Sequence, residues 1–170
     1  MDFRPPHDGY IAMVRIAGIP TYVHWSFPVG GLVTAAILGD LSAITSVSTV
    51  AAYVALIMFH ELGHALFAFR GGARVHAFVV TAGGGFCAAD LPACYRAQLL
   101  FLAGGLLAQL CLFMVTVLLI SVLGSPSSRP MGAFALVFTL VNAIIFLANV
   151  FPYGNNDGAR IWSMLRVHRR

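Results

Sequence analysis

Apolar residues fall along this chain in four long stretches separated by short polar breaks. Each stretch reaches or approaches the roughly 20 residues needed to cross a bilayer, at about 22–39, 46–69, 97–123 and 131–151. The first opens with His24 and Trp25, side chains suited to the membrane–water interface. Asp40 and the stretch 125–130 mark short turns, and Gly71-Gly72 ends the second span. With no repeat and no linker long enough to divide it, the pattern predicts an all-α polytopic membrane protein. It would have about four transmembrane helices in a single domain over residues 1–170.

Residues 75–94 read differently. Val75, Ala77, Phe78, Val79 and Val80 favour extended structure, and Gly83-Gly84-Gly85 breaks the chain. This predicts a short β-hairpin at about 75–90, in or against the membrane surface. Unpaired backbone groups are costly in lipid, so the hairpin must pair with something or line a wet cavity. An edge strand awaiting an extended partner is one solution.

Composition agrees with the spans. Hydrophobic residues make up 59% of the 170 residues and charged residues 9%, with a mean hydropathy of +0.87. A soluble domain carries about 25% charged residues, so too little polar surface is present to coat a globule. Arginine supplies all ten basic residues, giving a net charge of +4. These arginines sit at the ends of apolar stretches, which argues against nucleic acid as a partner. With the N-terminus inside and four spans, nine arginines fall on the cytoplasmic side and only Arg129 outside, a strong positive-inside bias. Both termini are then expected to be cytoplasmic. No cleavable leader is legible in residues 1–19. Cys87, Cys94 and Cys111 form neither an even set nor a CxxC, so they read as small apolar filler.

The second span contains His60-Glu61-Leu62-Gly63-His64. Residues four apart share a helix face, so both imidazoles can grip one metal ion, with Glu61 on the adjoining face to take a proton from water. Zinc suits this donor set and hydrolytic chemistry best. Glu61 is the sole glutamate of the chain, and burying it within a span costs a few kcal/mol on insertion scales. A surface-helix explanation of the motif does not apply inside an apolar span.

Catalytic zinc usually holds three protein ligands. Asp40 lies across the membrane in the expected orientation. Asp2, His7, Asp8 and His168 lie in polar tails. Asp90 follows the hairpin and is expected to face water, and His76 reads as a solvated loop histidine. Asp157 remains, at the cytoplasmic end of the fourth span, in the same leaflet as His60 and His64. Its context, Asn149-Val-Phe-Pro152-Tyr-Gly154-Asn-Asn-Asp157-Gly158, unwinds the helix and would admit water.

These features resemble the site-2 protease family, the intramembrane zinc metalloproteases. HELGH at 60–64 matches its HExxH span, and Asn149…Pro152…Asp157-Gly158 matches its N-x-x-P-x-x-x-x-D-G element. Arg15-Ile-Ala-Gly-Ile-Pro20 with Val23-His24-Trp25-Ser26-Phe27 resembles the compact branch without a PDZ domain, which includes sporulation pro-sigma-factor processing enzymes. The resemblance implies one Zn2+ held by His60, His64 and Asp157, with Glu61 as general base and later proton donor. It places Asn149 near the scissile peptide and the glycine-rich hairpin at Gly83 and Gly84 against an unwound substrate. Two departures stand out: Ala103-Gly104-Gly105 with Gln109 replaces the family's Gly-Pro and Asn, and Asn155 replaces a second proline. Gln109 is expected to stand in for the amide in positioning substrate. The family further implies a membrane-protein substrate, a bacterial inner membrane, and either a minimal enzyme or one controlled by a regulatory membrane partner. Two other readings remain open: a non-catalytic metal-binding scaffold, and a small metal transporter. A transporter is expected to show paired broken helices in related halves, whereas one break is legible here.

Overall fold

In a computed structural model of the protein, residues 9–37 and 42–168 are described. Two strands, β1 (Tyr10–Ile16) and β2 (Ile19–His24), lead into a short helix, α1 (Phe27–Ile37), and a long one, α2 (Ala43–Arg70). The hairpin β3 (Val75–Thr81) and β4 (Gly84–Ala89) precedes the long helix α3 (Tyr95–Leu123). A third long helical stretch is α4 (Arg129–Leu136), a π-helical turn at Val137–Val141, and α5 (Asn142–Val150), followed by α6 (Asp157–His168).

Among the described residues, three helical segments are long and apolar enough to cross a membrane: Ala43–Arg70, Tyr95–Leu123 and Arg129–Val150. Each matches an expected span to within three residues. Among the described residues, the expected first span at about 22–39 is not one continuous helix. Residues 22–24 belong to β2, and α1 has 11 residues, roughly 16 Å at 1.5 Å per residue, against about 30 Å of hydrocarbon. The physical reason is pairing. Thr21, Tyr22 and Val23 lie in parallel register with Phe78, Val79 and Val80, and an apolar run does not by itself distinguish a buried strand from a helix. The all-α expectation is corrected accordingly to a mostly helical protein with a small sheet. The Asp40 turn, Arg4, Arg169 and Arg170 lie outside the described residues.

The strand and short helix together take the path intended for one helix. Ile19 shares an apolar cluster with Ala65, and Val23 and Phe27 pack against Tyr53 and Ile57. A Cβ on Gly31 would meet Val50 Cα at 2.6 Å. The chain thus descends along α2 in the opposite direction, half as sheet and half as helix.

The hairpin expected at about 75–90 is present, and it belongs to a larger sheet of order β1-β2-β3-β4. β1 and β2 are antiparallel, β2 and β3 parallel, β3 and β4 antiparallel. Pairing satisfies the backbone groups that lipid would leave unpaired. β3 is the buried strand, with Ala77, Phe78, Val79 and Val80 at 1% exposure or less. His76 lies in β3 rather than in a loop, its Nε2 2.8 Å from Asp90 Oδ1. That hydrogen bond, with Arg74 nearby, holds the exposed Asp90 carboxyl below its ordinary range. Ala17 and Gly18 both take positive φ, 51° and 83°, as the tight β1–β2 turn requires.

α2 and α3 meet where neither has a side chain. A Cβ on Gly63 would collide with Gly104 O, and one on Gly104 would lie 2.5 Å from Gly63 O. Small residues let membrane helices approach this closely and pack by van der Waals contact. Gly63→Val is therefore expected to cost about 1–3 kcal/mol through overpacking. Gly132→Ala, which meets nothing within 4 Å, should not be destabilising. Thermal unfolding of the two variants in one detergent checks the contrast.

Candidate metal centre

Two facing stripes build the centre. On α2, His60 and His64 project from one face, and on α3 the same four-residue spacing aligns Phe101, Gly105 and Gln109. His64 Nδ1 lies 2.7 Å from Phe101 O and His60 Nδ1 lies 3.0 Å from Gln109 Oε1. Both partners only accept, so each Nδ1–H donates and each Nε2 keeps its lone pair. Gly105 makes room for this. A Cβ there would strike His60 Cε1 and lie 2.6 Å from His64 Nε2.

The third group arrives through a break in the last long helical stretch. After α5, Phe151 turns extended and Gly154 adopts φ 61°. Asn156 bridges the gap: its Nδ2 donates to Ala148 O at 2.7 Å and Phe151 O at 2.8 Å, while its Oδ1 accepts from Ala159 N at 2.9 Å. One side chain thus satisfies carbonyls left open by α5 and caps α6. Gly158 permits the tight return, since a Cβ there would collide with Val150 O and lie 2.5 Å from Asn149 O. Asp157, first residue of α6, then points back toward α2.

His60 Nε2 and His64 Nε2 are 3.1 Å apart, and Asp157 Oδ2 lies 3.1 and 3.2 Å from them. Asp157 Oδ2 is also buried without a hydrogen-bond partner. Three acceptor atoms thus converge with no donor among them, an arrangement that a cation resolves. Tetrahedral zinc with bonds of about 2.0–2.1 Å separates neighbouring ligand atoms by roughly 3.3 Å, so the triangle fits, and two imidazoles with a carboxylate are a zinc donor set. Among the described residues this is the one cluster able to hold a metal.

Glu61 is 2% exposed and stands beside the triangle, its Oε2 without a partner. It borders a cavity of about 410 Å³ reached by His60, His64, Asp157 and Asn149 and walled by the hairpin from Gly83 to Cys87. A Cβ on Gly85 would lie 3.0 Å from Glu61 Oε1, so the hairpin backbone comes up against the carboxylate. The hairpin turn is held from both sides. Tyr53 Oη donates to Ala82 O at 3.1 Å, and Ala82 N donates to Ser26 Oγ at 3.4 Å.

The structure therefore gathers His60, Glu61, His64, Asp157, Asn149, Gly83, Gly84 and Gln109 at one cavity. Asp90 and His76 pair with each other, apart from the triangle. The candidates Asp2, His7, Asp8 and Asp40 and the side chain of His168 lie outside the described residues. Cys87, Cys94 and Cys111 are free, and Cys94 is more than filler, since its Sγ accepts from Ala97 N at the start of α3. The sequence reading missed Gly105, Asn156, Tyr53 and Ser26. Gly105 and Gln109 were legible as a stripe with Phe101, four residues apart; the other contacts join distant segments.

No protein-family model matches the sequence, and no curated protein matches it. Among solved structures, the fold is similar to that of the site-2 protease from Methanocaldococcus jannaschii, with a TM-score of 0.70 and 20% sequence identity. The likeness covers 94% of this chain and 73% of that one. The chain thus has a site-2 protease fold.

Asp157→Ala and His60→Ala should each lower bound zinc from about one ion per chain to well below half. Elemental analysis of chelator-free preparations measures this. Unchanged zinc in Asp157→Ala would show that the third ligand is another residue.

Proposed function

We propose that residues 1–170 form a membrane-embedded zinc metalloendopeptidase domain that cleaves transmembrane or membrane-associated proteins. The convergence of three lone-pair atoms beside a buried, partly unpartnered carboxylate, on a site-2 protease fold, carries this reading. His60, His64 and Asp157 would hold the ion. Bound there, zinc supplies Lewis-acid chemistry: it acidifies water and polarises a peptide carbonyl.

The remaining work falls to the chain's own side chains. Glu61 is not a ligand of the triangle, so its carboxylate is free to take a proton from water in the cavity. It then returns that proton to the departing amine nitrogen. Burial keeps both transfers away from bulk solvent. The glycines at 83–85 leave the hairpin backbone bare beside the cavity, and β4 lies at one edge of the sheet. An extended substrate segment pairing with that edge would satisfy its own backbone groups while presenting a peptide bond to Glu61. A helical substrate hides its peptide bonds and must unwind first. Asn149 on the cavity wall is placed to hydrogen-bond that segment. Gln109 is committed to His60 Nδ1, which supports a role in orienting the ligand over direct contact with substrate.

Orientation belongs to the same proposal. Arg15, Arg70, Arg74 and Arg96 flank the start of the β2–α1 path and the α2–α3 connection, while Arg129 lies at the opposite end of α3. If β2 and α1 together count as one crossing, the chain passes four times and the positive-inside rule puts both termini in the cytoplasm; a bacterial inner membrane is what the family resemblance implies. A regulatory membrane partner fits the compact domain.

Glu61→Gln should leave zinc near one ion per chain and cut cleavage by about 10²–10⁴-fold, the contribution of a general acid–base group. Quantitative comparison of membrane proteins in cells carrying the native or the Glu61→Gln chain should show intact substrates accumulating with the variant. A scaffold would show no such difference. Gly85→Val should also block cleavage, with zinc content retained, because its side chain would crowd Glu61 and the hairpin edge.

A further inference from the structure

The last long helical stretch contains a π-helical turn, and the residue that follows it is Asn142, buried to 1% exposure. Within that turn the Asn142 backbone N–H reaches Val137 O, one residue beyond the α-helical partner. The bypassed carbonyl is that of Phe138. Asn142 supplies its replacement, since Nδ2 donates to Phe138 O at 3.2 Å. The same amide nitrogen donates its second hydrogen to Gln109 O, across on α3, at 2.9 Å. Asn142 Oδ1 is buried without a partner. An asparagine at this depth leaves an acceptor unpaired, so its donor side is what the site uses.

Gln109 is the residue whose Oε1 accepts from His60 Nδ1. The backbone of one residue is thus tied to Asn142 while its side chain orients the imidazole. We infer that Asn142 is a positioning residue for the metal centre: it ties the π turn to α3 at Gln109 and so fixes the acceptor that sets the tautomer and direction of His60. π turns recur at functional sites because the extra residue re-aims the side chains around it. Here the re-aimed side chain spans two helices. The inference rests on the zinc centre proposed above and extends it to a residue outside the motif, the cavity wall and the D-G element.

The test separates the tether from the turn. Asn142→Leu removes both donations. Asn142→Ser keeps a hydroxyl able to back-bond Phe138 O four residues earlier, yet it has no second donor for Gln109 O. Zinc affinity is measured on purified full-length protein by competition with a chelator, alongside the thermal midpoint of the metal-free form. Outer-shell partners of zinc ligands are worth about 10–100-fold in metal affinity, and an indirect one belongs at the low end. Asn142→Leu and Asn142→Ser should each weaken zinc about tenfold, with the serine variant keeping the native thermal midpoint. Gln109→Leu should weaken zinc at least as much, and adding Asn142→Leu to it should cost nothing further, because the path runs through that side chain. Native affinity in either Asn142 variant, or additive losses in the double variant, would overturn the tether while leaving the zinc centre standing. A native protein that binds no zinc would overturn the centre and the tether together.

Discussion

Three electron-rich atoms held about 3 Å apart inside a membrane protein are the constraint from which the rest of this architecture follows. Nothing in hydrocarbon compensates such a cluster, and an isolated buried charge is among the costliest features a span can carry. The surrounding structure serves to make the cluster unavoidable. Gly63 and Gly104 bring two helices into backbone contact, Phe101 O and Gln109 Oε1 turn both imidazoles the same way, and Asn156 holds the returning chain so that Asp157 faces them. Each device forecloses an arrangement in which the lone pairs could separate.

The sheet solves a second problem of the same medium. Irregular backbone at membrane depth is tolerated only when paired or beside water. Here β2 is paired on both sides, β3 is buried, and β4 lies at an edge of the sheet beside the polar cavity. Its turn is pinned by Tyr53 and Ser26 from segments far apart in sequence. A neutral hydrogen bond contributes about 1 kcal/mol, so these two contacts determine where the glycine-rich edge stands more than how stable the protein is. The same economy governs the metal side, where polar side chains are few and each makes several bonds.

Three of the four expected spans correspond to long helices because their runs exceed any strand and are bounded by Gly71, Gly124 or Arg129. The first run failed for an identifiable reason. Tyr22 and Val23 are as compatible with a buried strand as with a helix, and the deciding factor was β3, more than 50 residues away, offering parallel partners. A local signal did exist, since Ala17-Gly18 lies between two runs of β-branched and aromatic residues, the pattern of a hairpin turn. The hairpin at 75–89 was readable from Val75–Val80 and the glycines, but its place as half of a four-stranded sheet was not.

The His60–His64–Asp157 cluster was legible because its parts are local: a four-residue helical spacing in a span holding the chain's sole Glu, and a Pro/Gly/Asn break ending in Asp157. Spacing along a helix dictates which side chains share a face, and that information is present in the residues alone. The direction in which His60 and His64 turn is another matter. It depends on a carbonyl at Phe101, an amide at Gln109 and the absence of a Cβ at Gly105, all on a different helix. So does the tie from Asn142 across to α3. Such contacts are set by how closely helices pack and at what register, quantities that arise when distant segments compete to bury the same surface and that no local pattern encodes.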